Sequence, residues 1–201
     1  FDERRSTFLR RAEQLQLDVE PHVTAGRIDL REVNVGQWSP GEFTREVVRS
    51  VERDDSKIVV IDSLNGFLNA MPAEHLLVNQ LHELLSFLDE KGVLSILLLA
   101  THGLFGRDEA DIDASYIADT VLLARHFEAQ GRLRRCLSVV KKRHGGHEKT
   151  IREFEISLGG IRLGPPLREF TGVLTGVPRY EGIRDKLLEK GGDAPPAEGN
   201  A

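Results

Sequence analysis

An uninterrupted apolar run that ends in an acid constrains the fold of this chain most. Ile58 to Ile61 carry no polar alternation and are followed directly by Asp62. Such a run predicts a strand with both faces covered, as in a parallel sheet flanked by helices. Asp62 then lies at the carboxyl end of the strand, where open parallel sheets bind ligands and where a carboxylate holds magnesium directly or through water. The alternative is an exposed Asp that only starts the following turn.

A second apolar run, residues 93–100, follows a helix that the leucine spacing predicts over residues 74–91, with Gly92 as its stop. Two strands joined by a helix form a right-handed crossover, so their carboxyl ends share one edge of the sheet. We therefore expect Asp62 to lie near Thr101 and His102. His102 is compatible with contacting a phosphate there and equally with a plain surface position.

The remaining local patterns complete an α/β outline. Amphipathic spacing predicts a helix over residues 3–16, and Ser39-Pro-Gly-Glu42 is typical of the start of another. Alternation predicts a short strand over residues 28–33 and two hairpins, within residues 118–143 and 152–163. Helices alternating with strands, followed by strands alone, predict a mainly parallel central sheet extended by antiparallel strands.

Composition and charge exclude several classes of protein. A chain of 201 residues with 40% hydrophobic content is long enough for one α/β domain with a large core. The net charge of -5 disfavours general nucleic-acid binding. The single cysteine, Cys136, suits a reducing cytoplasm and is more simply a buried thiol than a nucleophile. No apolar run reaches membrane-spanning length, so we expect a cytoplasmic protein.

Three groups of charged residues fit phosphoryl transfer, which needs a carboxylate to orient the nucleophile, acid-held magnesium and cations on the developing charge. They are the pair Asp2-Glu3, Asp62, and the cluster Lys141-Lys-Arg143. Each has a simpler interpretation: the acid pair could cap a helix, and the cations could lie at a solvated strand end. His144 and His147 have no Cys or acid partners at ligand spacing, which is weak support for a metal pair.

The sequence closely resembles the KaiC family of RecA-like ATPases, over nearly all of the chain up to about Tyr180. The matching segments are Phe1-Asp-Glu3, Phe8-Leu-Arg-Arg-Ala12, Val59-Val-Ile-Asp-Ser-Leu64, Tyr116-Ile-Ala-Asp-Thr-Val-Leu-Leu123, Lys141-Lys-Arg-His-Gly-Gly-His147, Thr150-Ile-Arg-Glu-Phe154 and Gly172-Val-Leu-Thr-Gly-Val-Pro178. The resemblance implies a RecA-like three-layer fold over residues 1–180, with a short helix and flexible tail over 181–201.

The resemblance also implies roles for individual residues around ATP and magnesium. Glu3 would be the catalytic acid, Asp2 would help with magnesium, and Asp62 would be the Walker B acid with Ser63 beside it. In the family, ATP lies between adjacent subunits of a hexameric ring. Lys141 and Arg143 would therefore reach the γ-phosphate bound to the neighbouring protomer. Other positions that would line the same nucleotide are Arg135, Lys142, Gly145, His147 and Lys149.

Two departures from the family pattern change the expectation. The sequence contains no Gly-x-x-x-x-Gly-Lys-Ser/Thr, so we expect it to begin inside the domain, after the phosphate loop, and to be inactive alone. Clock-type members autophosphorylate at adjacent Ser and Thr, where this chain has Ser115 and Tyr116. Ser115 remains a candidate acceptor, whereas a cycle with two phosphorylation sites is doubtful.

These observations predict an ATP-binding ATPase or autokinase domain, with signalling or clock proteins as possible partners. The alternative is a non-catalytic module that uses the same ring fold for signalling or assembly. A DNA-strand-exchange relative of RecA is a third class, but the acidic charge and the lack of an aromatic-basic groove disfavour it.

Overall fold

The computed structural model describes residue 1 and residues 3–34, 38–69, 74–100, 116–174 and 178–182. The helices are α1 (Arg5–Gln14), α2 (Glu20–Thr24), α3 (Pro40–Asp54), α4 (Leu64–Asn69) and α5 (Glu74–Glu90). The strands are β1 (Ile58–Asp62), β2 (Leu94–Leu98), β3 (Thr120–Ala129), β4 (Arg132–Lys142), β5 (Arg152–Ser157), β6 (Gly160–Pro166), β7 (Phe170–Thr171) and β8 (Arg179–Tyr180).

Strands β1 and β2 form the predicted parallel pair, with α4 and α5 between them in the chain. Their register places Ile58 opposite Leu94 and Asp62 opposite Leu98, so both strands end at one edge. Gly92 follows α5 with φ 65°, a left-handed conformation that glycine adopts without steric cost. The parallel pairing and the shared edge predicted from the two apolar runs are therefore confirmed.

Helix α3 begins as its sequence predicts. The Ser39 hydroxyl accepts a hydrogen bond from the Glu42 backbone N–H, and the Glu42 carboxylate accepts one from the Ser39 N–H at 2.8 Å. This capping box satisfies two backbone donors that a helix start otherwise leaves free.

One buried cluster joins α3, α4 and α5 to the parallel pair. Its buried members are Phe43, Val51, Ile61, Leu64, Phe67, Leu77, Leu81, Leu84, Leu88 and Val93. The leucine stripe of α5 thus packs as the sequence predicts. Because Leu64 and Phe67 follow β1 directly and are almost fully buried, they fix the backbone beyond Asp62.

The prediction that both faces of β1 are covered is wrong for the described residues. Ile58, Val60 and Leu94 remain 58%, 56% and 57% exposed, whereas Ile61 is only 3% exposed. The register puts the three exposed side chains on one face, opposite the face that packs on the helices. An uninterrupted apolar run indicates that both faces of a strand can be buried. Whether both faces are buried depends on which other elements pack against the strand.

Strands β3 to β6 form a separate antiparallel sheet in the order β3-β4-β5-β6. The two predicted hairpins are both present, one turning at Gln130-Gly131 and the other at Leu158-Gly159. Phe127 and Cys136 are fully buried on the covered face and pack with Val173. The short pair β7–β8 is also antiparallel.

The described strand pairs therefore correct the predicted sheet. One pair, β1–β2, is parallel, and the other pairs are antiparallel, in sheets that share no hydrogen-bonded strand. The fold class is α/β as predicted. A single, mainly parallel central sheet is not formed by the part of the chain that the structure describes.

A second correction concerns residues 28–33, which form no strand. The Ile28 amide instead donates to the His22 carbonyl at 3.2 Å, in the turn that ends the unpredicted helix α2. Arg31 forms ion pairs with Asp29 and Glu46, which hold this segment against α3. Alternating apolar residues need a neighbouring strand edge, and no strand among the described residues pairs with this segment.

Candidate functional site

The acid half of the candidate site is built where β1 ends. The Phe1 backbone nitrogen donates to the Asp62 carbonyl at 2.8 Å. The Phe1 ring packs against Phe43 and Phe67, with centroids 5.4 and 5.9 Å away. Glu3 is two residues further on and cannot lie more than about 7 Å of extended chain from Phe1. The aromatic contacts thus bring the predicted catalytic acid to the end of the strand that carries the predicted magnesium acid.

Glu3 does not cap α1, because the N-cap residue is Arg4 and makes no side-chain cap. The Glu3 carboxylate instead pairs with Arg11 at 2.7 Å, and its side chain is 24% exposed. This contact contradicts the simpler interpretation of Glu3 as a helix cap. Asp2, the other member of the acid pair, lies outside the described residues.

Asp62 is exposed, and Ser63 beside it is buried. The Ser63 hydroxyl accepts a hydrogen bond from the Gly66 N–H at 3.2 Å, in the first turn of α4. Ser63 therefore shapes the turn, while the Asp62 side chain faces solvent.

Asn65 ties the ends of the two parallel strands together, a contact that sequence reasoning missed. Its amide oxygen accepts from the Ala100 N–H at 2.8 Å, and its amide nitrogen donates to the Ala100 carbonyl at 3.0 Å. The sequence does offer a signal for this contact, because Asn65, three residues after Asp62, has both a hydrogen-bond donor and an acceptor in its side chain. Thr101 and His102, the predicted neighbours of Asp62, lie outside the described residues.

The basic half lies on the antiparallel sheet, at the end of β4. Lys141 is half-buried, and the Lys142 ammonium donates to the Gly146 carbonyl at 3.3 Å. Gly145 has φ 76°, so this turn uses a left-handed conformation that suits glycine.

Arg143 is bound by its own chain at three points. Its N–H donates to the Asp119 carbonyl at 2.7 Å, and its guanidinium contacts the Asp119 carboxylate at 2.8 Å and the Tyr116 carbonyl at 3.2 Å. Sequence reasoning did not single out Asp119, although it lies in one of the segments on which the family resemblance rests. Ser115, the candidate phosphate acceptor next to Tyr116, lies outside the described residues.

The other predicted nucleotide contacts lie on the same sheet or in the loop between its strands β4 and β5. Arg135 is exposed and donates through Nε to His126 at 3.3 Å. His147 is half-buried and Lys149 is exposed in the loop between β4 and β5. His147 and Lys149 thus follow the basic half in the chain, whereas Arg135 lies six residues before Lys141 on β4, about 20 Å away along the strand.

The described residues fit magnesium held with the help of phosphates better than a metal cage. No group of three or more His, Cys, Asp or Glu side chains that could hold an ion occurs among them. Magnesium commonly takes one or two carboxylates, several waters and substrate phosphates. Asp62, exposed at the sheet edge, is suited to that kind of contact.

The comparisons with known proteins identify the class to which this arrangement belongs. The family model described as "ATPase: KaiC" matches residues 1–168. The chain therefore belongs to the KaiC ATPase family, whose domain has a RecA-like α/β fold.

Individual relatives match shorter stretches. The circadian clock protein KaiC3 of Synechocystis is 37% identical over 98 residues, which are 48% of this chain and 19% of that protein. The circadian clock oscillator protein KaiC of Synechococcus elongatus is 37% identical over 76 residues, 38% of this chain and 15% of that protein. The circadian clock oscillator protein KaiC of Thermostichus vulcanus is 35% identical over 72 residues, which are 36% of this chain and 14% of that protein. The matches thus span less than a fifth of these relatives.

No helix in the described part of the chain is both long and apolar enough to cross a membrane.

Proposed function

We propose that this chain is an ATP-binding domain of a KaiC-like ATPase that acts on the γ-phosphate at the subunit interfaces of a ring. The observation that carries the proposal is the contact between Phe1 and Asp62. It brings Glu3 to the carboxyl end of β1, in a chain that belongs to an ATPase family. The ring is a homo-oligomer, hexameric by analogy with the family, in the cytoplasm.

In this proposal the acid half acts on the nucleophile and the metal. The Glu3 carboxylate accepts a hydrogen bond from the attacking water and orients it in line with the γ-phosphorus. Asp62, with help from Asp2, holds magnesium directly or through water, with Ser63 shaping the turn. When bound, magnesium would supply positive charge that offsets the negative charge of the phosphates. Glu3 must exchange its ion pair with Arg11 for the water, which a side-chain rotation can achieve.

The basic half serves the ATP of the neighbouring protomer. Lys141 and Arg143 place positive charge on the γ-phosphate as charge develops there. Arg135, Lys142, Gly145, His147 and Lys149 line the nucleotide from the same side. When Ser115 rather than water is the nucleophile, the same site acts as an autokinase, and clock or signalling proteins are the partners that would respond to it.

We also propose that one further strand joins the two sheets of the domain. Among the described residues, β2 pairs only with β1, and β3 pairs only with β4, so each has an open edge. A strand between β2 and β3 would restore the RecA-like sheet that the family implies.

The experiment mixes two inactive variants of the full-length protein. Glu3→Gln removes the orienting carboxylate and Arg143→Ala removes the trans cation, and each should lower the ATPase kcat roughly 10²- to 10⁴-fold. In a 1:1 mixture of subunits, about a quarter of the interfaces combine an intact Glu3 with an intact Arg143. ATP hydrolysis should therefore return to about that fraction of the wild-type rate.

The controls are Glu155→Gln and Arg162→Ala, which break an exposed ion pair in the β5–β6 hairpin. Both should retain the wild-type kcat. Full activity of Glu3→Gln would remove Glu3 from its role, and inactive mixtures would contradict action in trans. A full-length protein that binds ATP but does not hydrolyse it or modify Ser115 would indicate the non-catalytic ring module instead.

A further inference from the structure

Asp119 makes two of the three contacts that hold Arg143. Its backbone carbonyl accepts the Arg143 N–H at 2.7 Å, and its carboxylate Oδ1 contacts guanidinium nitrogen Nη1 at 2.8 Å. Nitrogen Nη2 of the same guanidinium donates to the Tyr116 carbonyl at 3.2 Å. The guanidinium is planar and its donors have fixed directions, so two acceptors at different nitrogens define its orientation.

The backbone carbonyl and the side-chain carboxylate of Asp119 have different roles. Thr120 and Lys142 are paired in the β3–β4 register, so the carbonyl contact continues the ladder by one step. It belongs to the backbone and survives any side-chain substitution. The carboxylate contact is the part that specifically orients the guanidinium.

The ion pair between Asp119 and Arg143 has little to do with stability. The two side chains are 64% and 47% exposed, and exposed pairs of this kind contribute little to folding. The ion pair stabilises the fold weakly, yet together with the Tyr116 carbonyl it holds the guanidinium at two different nitrogens. This arrangement is better explained by what the cation does.

Tyr116, the other acceptor, contacts helix α5 through its side chain. Its hydroxyl lies 3.3 Å from His82 Nε2, and the two rings pack with centroids 5.5 Å apart. His82 is on α5, whose leucine stripe is buried against the parallel pair. The residue that supplies the second acceptor for the Arg143 guanidinium is therefore itself in contact with α5.

From this geometry we infer that Asp119 is a positioning residue for Arg143, which orients the guanidinium toward the γ-phosphate in the neighbouring subunit. The inference rests on the proposed function, because it assumes that Arg143 acts there. Asp119 itself touches neither nucleotide nor water in this scheme. Its carboxylate acts only through the guanidinium that it holds.

The test compares Asp119→Ala and Asp119→Asn in the full-length protein. Asp119→Ala should lower kcat roughly tenfold with little change in the KM for ATP, because an interaction made in the transition state is misplaced. Asp119→Asn should lower kcat only about threefold, because its amide oxygen still accepts from Nη1 without the charge. The melting temperature and the ring size should not change for either variant.

Subunit mixing separates positioning of Arg143 from other roles. Asp119→Ala mixed with Glu3→Gln should regain activity, because the Glu3→Gln subunit supplies a correctly held Arg143 to its neighbour. Asp119→Ala mixed with Arg143→Ala should regain none, because both lack the same function. Glu155→Gln, which breaks another exposed carboxylate–arginine pair, is the matched control and should behave as wild type.

The outcomes distinguish this inference from the proposed function. If wild type and the Glu3→Gln/Arg143→Ala mixture are active but Asp119→Ala keeps full kcat, Asp119 does not position Arg143. Recovery of activity in the Asp119→Ala/Arg143→Ala mixture would overturn the inference in the same way. An inactive wild type would contradict the proposed function instead, whatever the Asp119 variants do.

Discussion

Replacing Asn65 should loosen the edge at which β1 and β2 both end. The Asn65 side chain makes two hydrogen bonds to the peptide groups of Ala100, at 2.8 and 3.0 Å. These bonds connect the first turn after Asp62 with the residues that follow β2. Asn65→Ala removes both bonds and leaves the packing of Leu64 and Phe67 in place.

The expected cost follows from the number and exposure of the bonds. A typical intramolecular hydrogen bond contributes roughly 0.5–1.5 kcal/mol, so two contribute about 1–3 kcal/mol. Ala100 is exposed, so its released N–H and carbonyl can bind water, which favours the lower half of that range. A loss of about 1.4 kcal/mol in local opening free energy corresponds to tenfold faster exchange of the Ala100 amide.

Hydrogen–deuterium exchange of the full-length protein, resolved to the Ala100 amide, measures this effect. Asn65→Ala should exchange about tenfold faster than wild type at this amide. Asn65→Asp should stay close to wild type there, because its carboxylate still accepts from the Ala100 N–H although it can no longer donate to the carbonyl. Asn79→Ala, at an exposed position on α5, is the matched control. Unchanged exchange in Asn65→Ala would refute the reasoning.

Further predictions concern three single side chains, those of Ser39, Glu42 and Cys136. Ser39→Ala should lower the free energy of unfolding by about 1 kcal/mol, measured by denaturant titration, because it removes the α3 cap. The backbone hydrogen bond from Ser39 lowers the pKa of the Glu42 carboxylate. The stability that this carboxylate contributes is therefore present above its unfolded pKa and is lost as the pH falls through the lowered pKa of the folded protein. Glu42→Gln should weaken this loss of stability at acid pH. Burial raises the pKa of the Cys136 thiol above its unfolded value. The free energy of unfolding should therefore decrease as the pH rises from the unfolded thiol pKa towards the raised pKa of the folded protein. Thiol reagents should label Cys136 at neutral pH only as fast as the protein unfolds, and rapid labelling of the native protein would contradict its burial.

Elements with strong local signals could be predicted from sequence. Helix α3 has its cap, its first-turn proline and its acid within four residues, so local chemistry alone determines where it begins. Both hairpins have glycines at their turns, where positive φ is needed. The unpredicted helix α2 has five residues, too few for an apolar periodicity to be visible.

Features that depend on distant partners could not be predicted. Ile58 and Val60 have the sequence of a strand covered on both faces, and the structure covers only one. Residues 28–33 alternate like a strand, but the backbone there makes a turn back to His22 and its side chains pair with α3. In both cases the hydrophobic pattern shows which surroundings suit a segment. It does not show whether a distant element packs against that segment in the fold.

The two halves of the candidate site are fixed by different parts of the fold. The acid half depends on Phe1 in its aromatic cluster, which holds Glu3 near β1. The basic half depends on Asp119, next to β3, and on Tyr116, which contacts His82 of α5; together they hold Arg143. Within the part of the chain that the structure describes, no hydrogen bond joins Phe1 or Glu3 to Asp119, Tyr116 or Arg143, so a substitution in one half should leave the other intact. This independence is what allows a mixture of Glu3→Gln and Arg143→Ala subunits to separate a site shared between copies from a site within one chain.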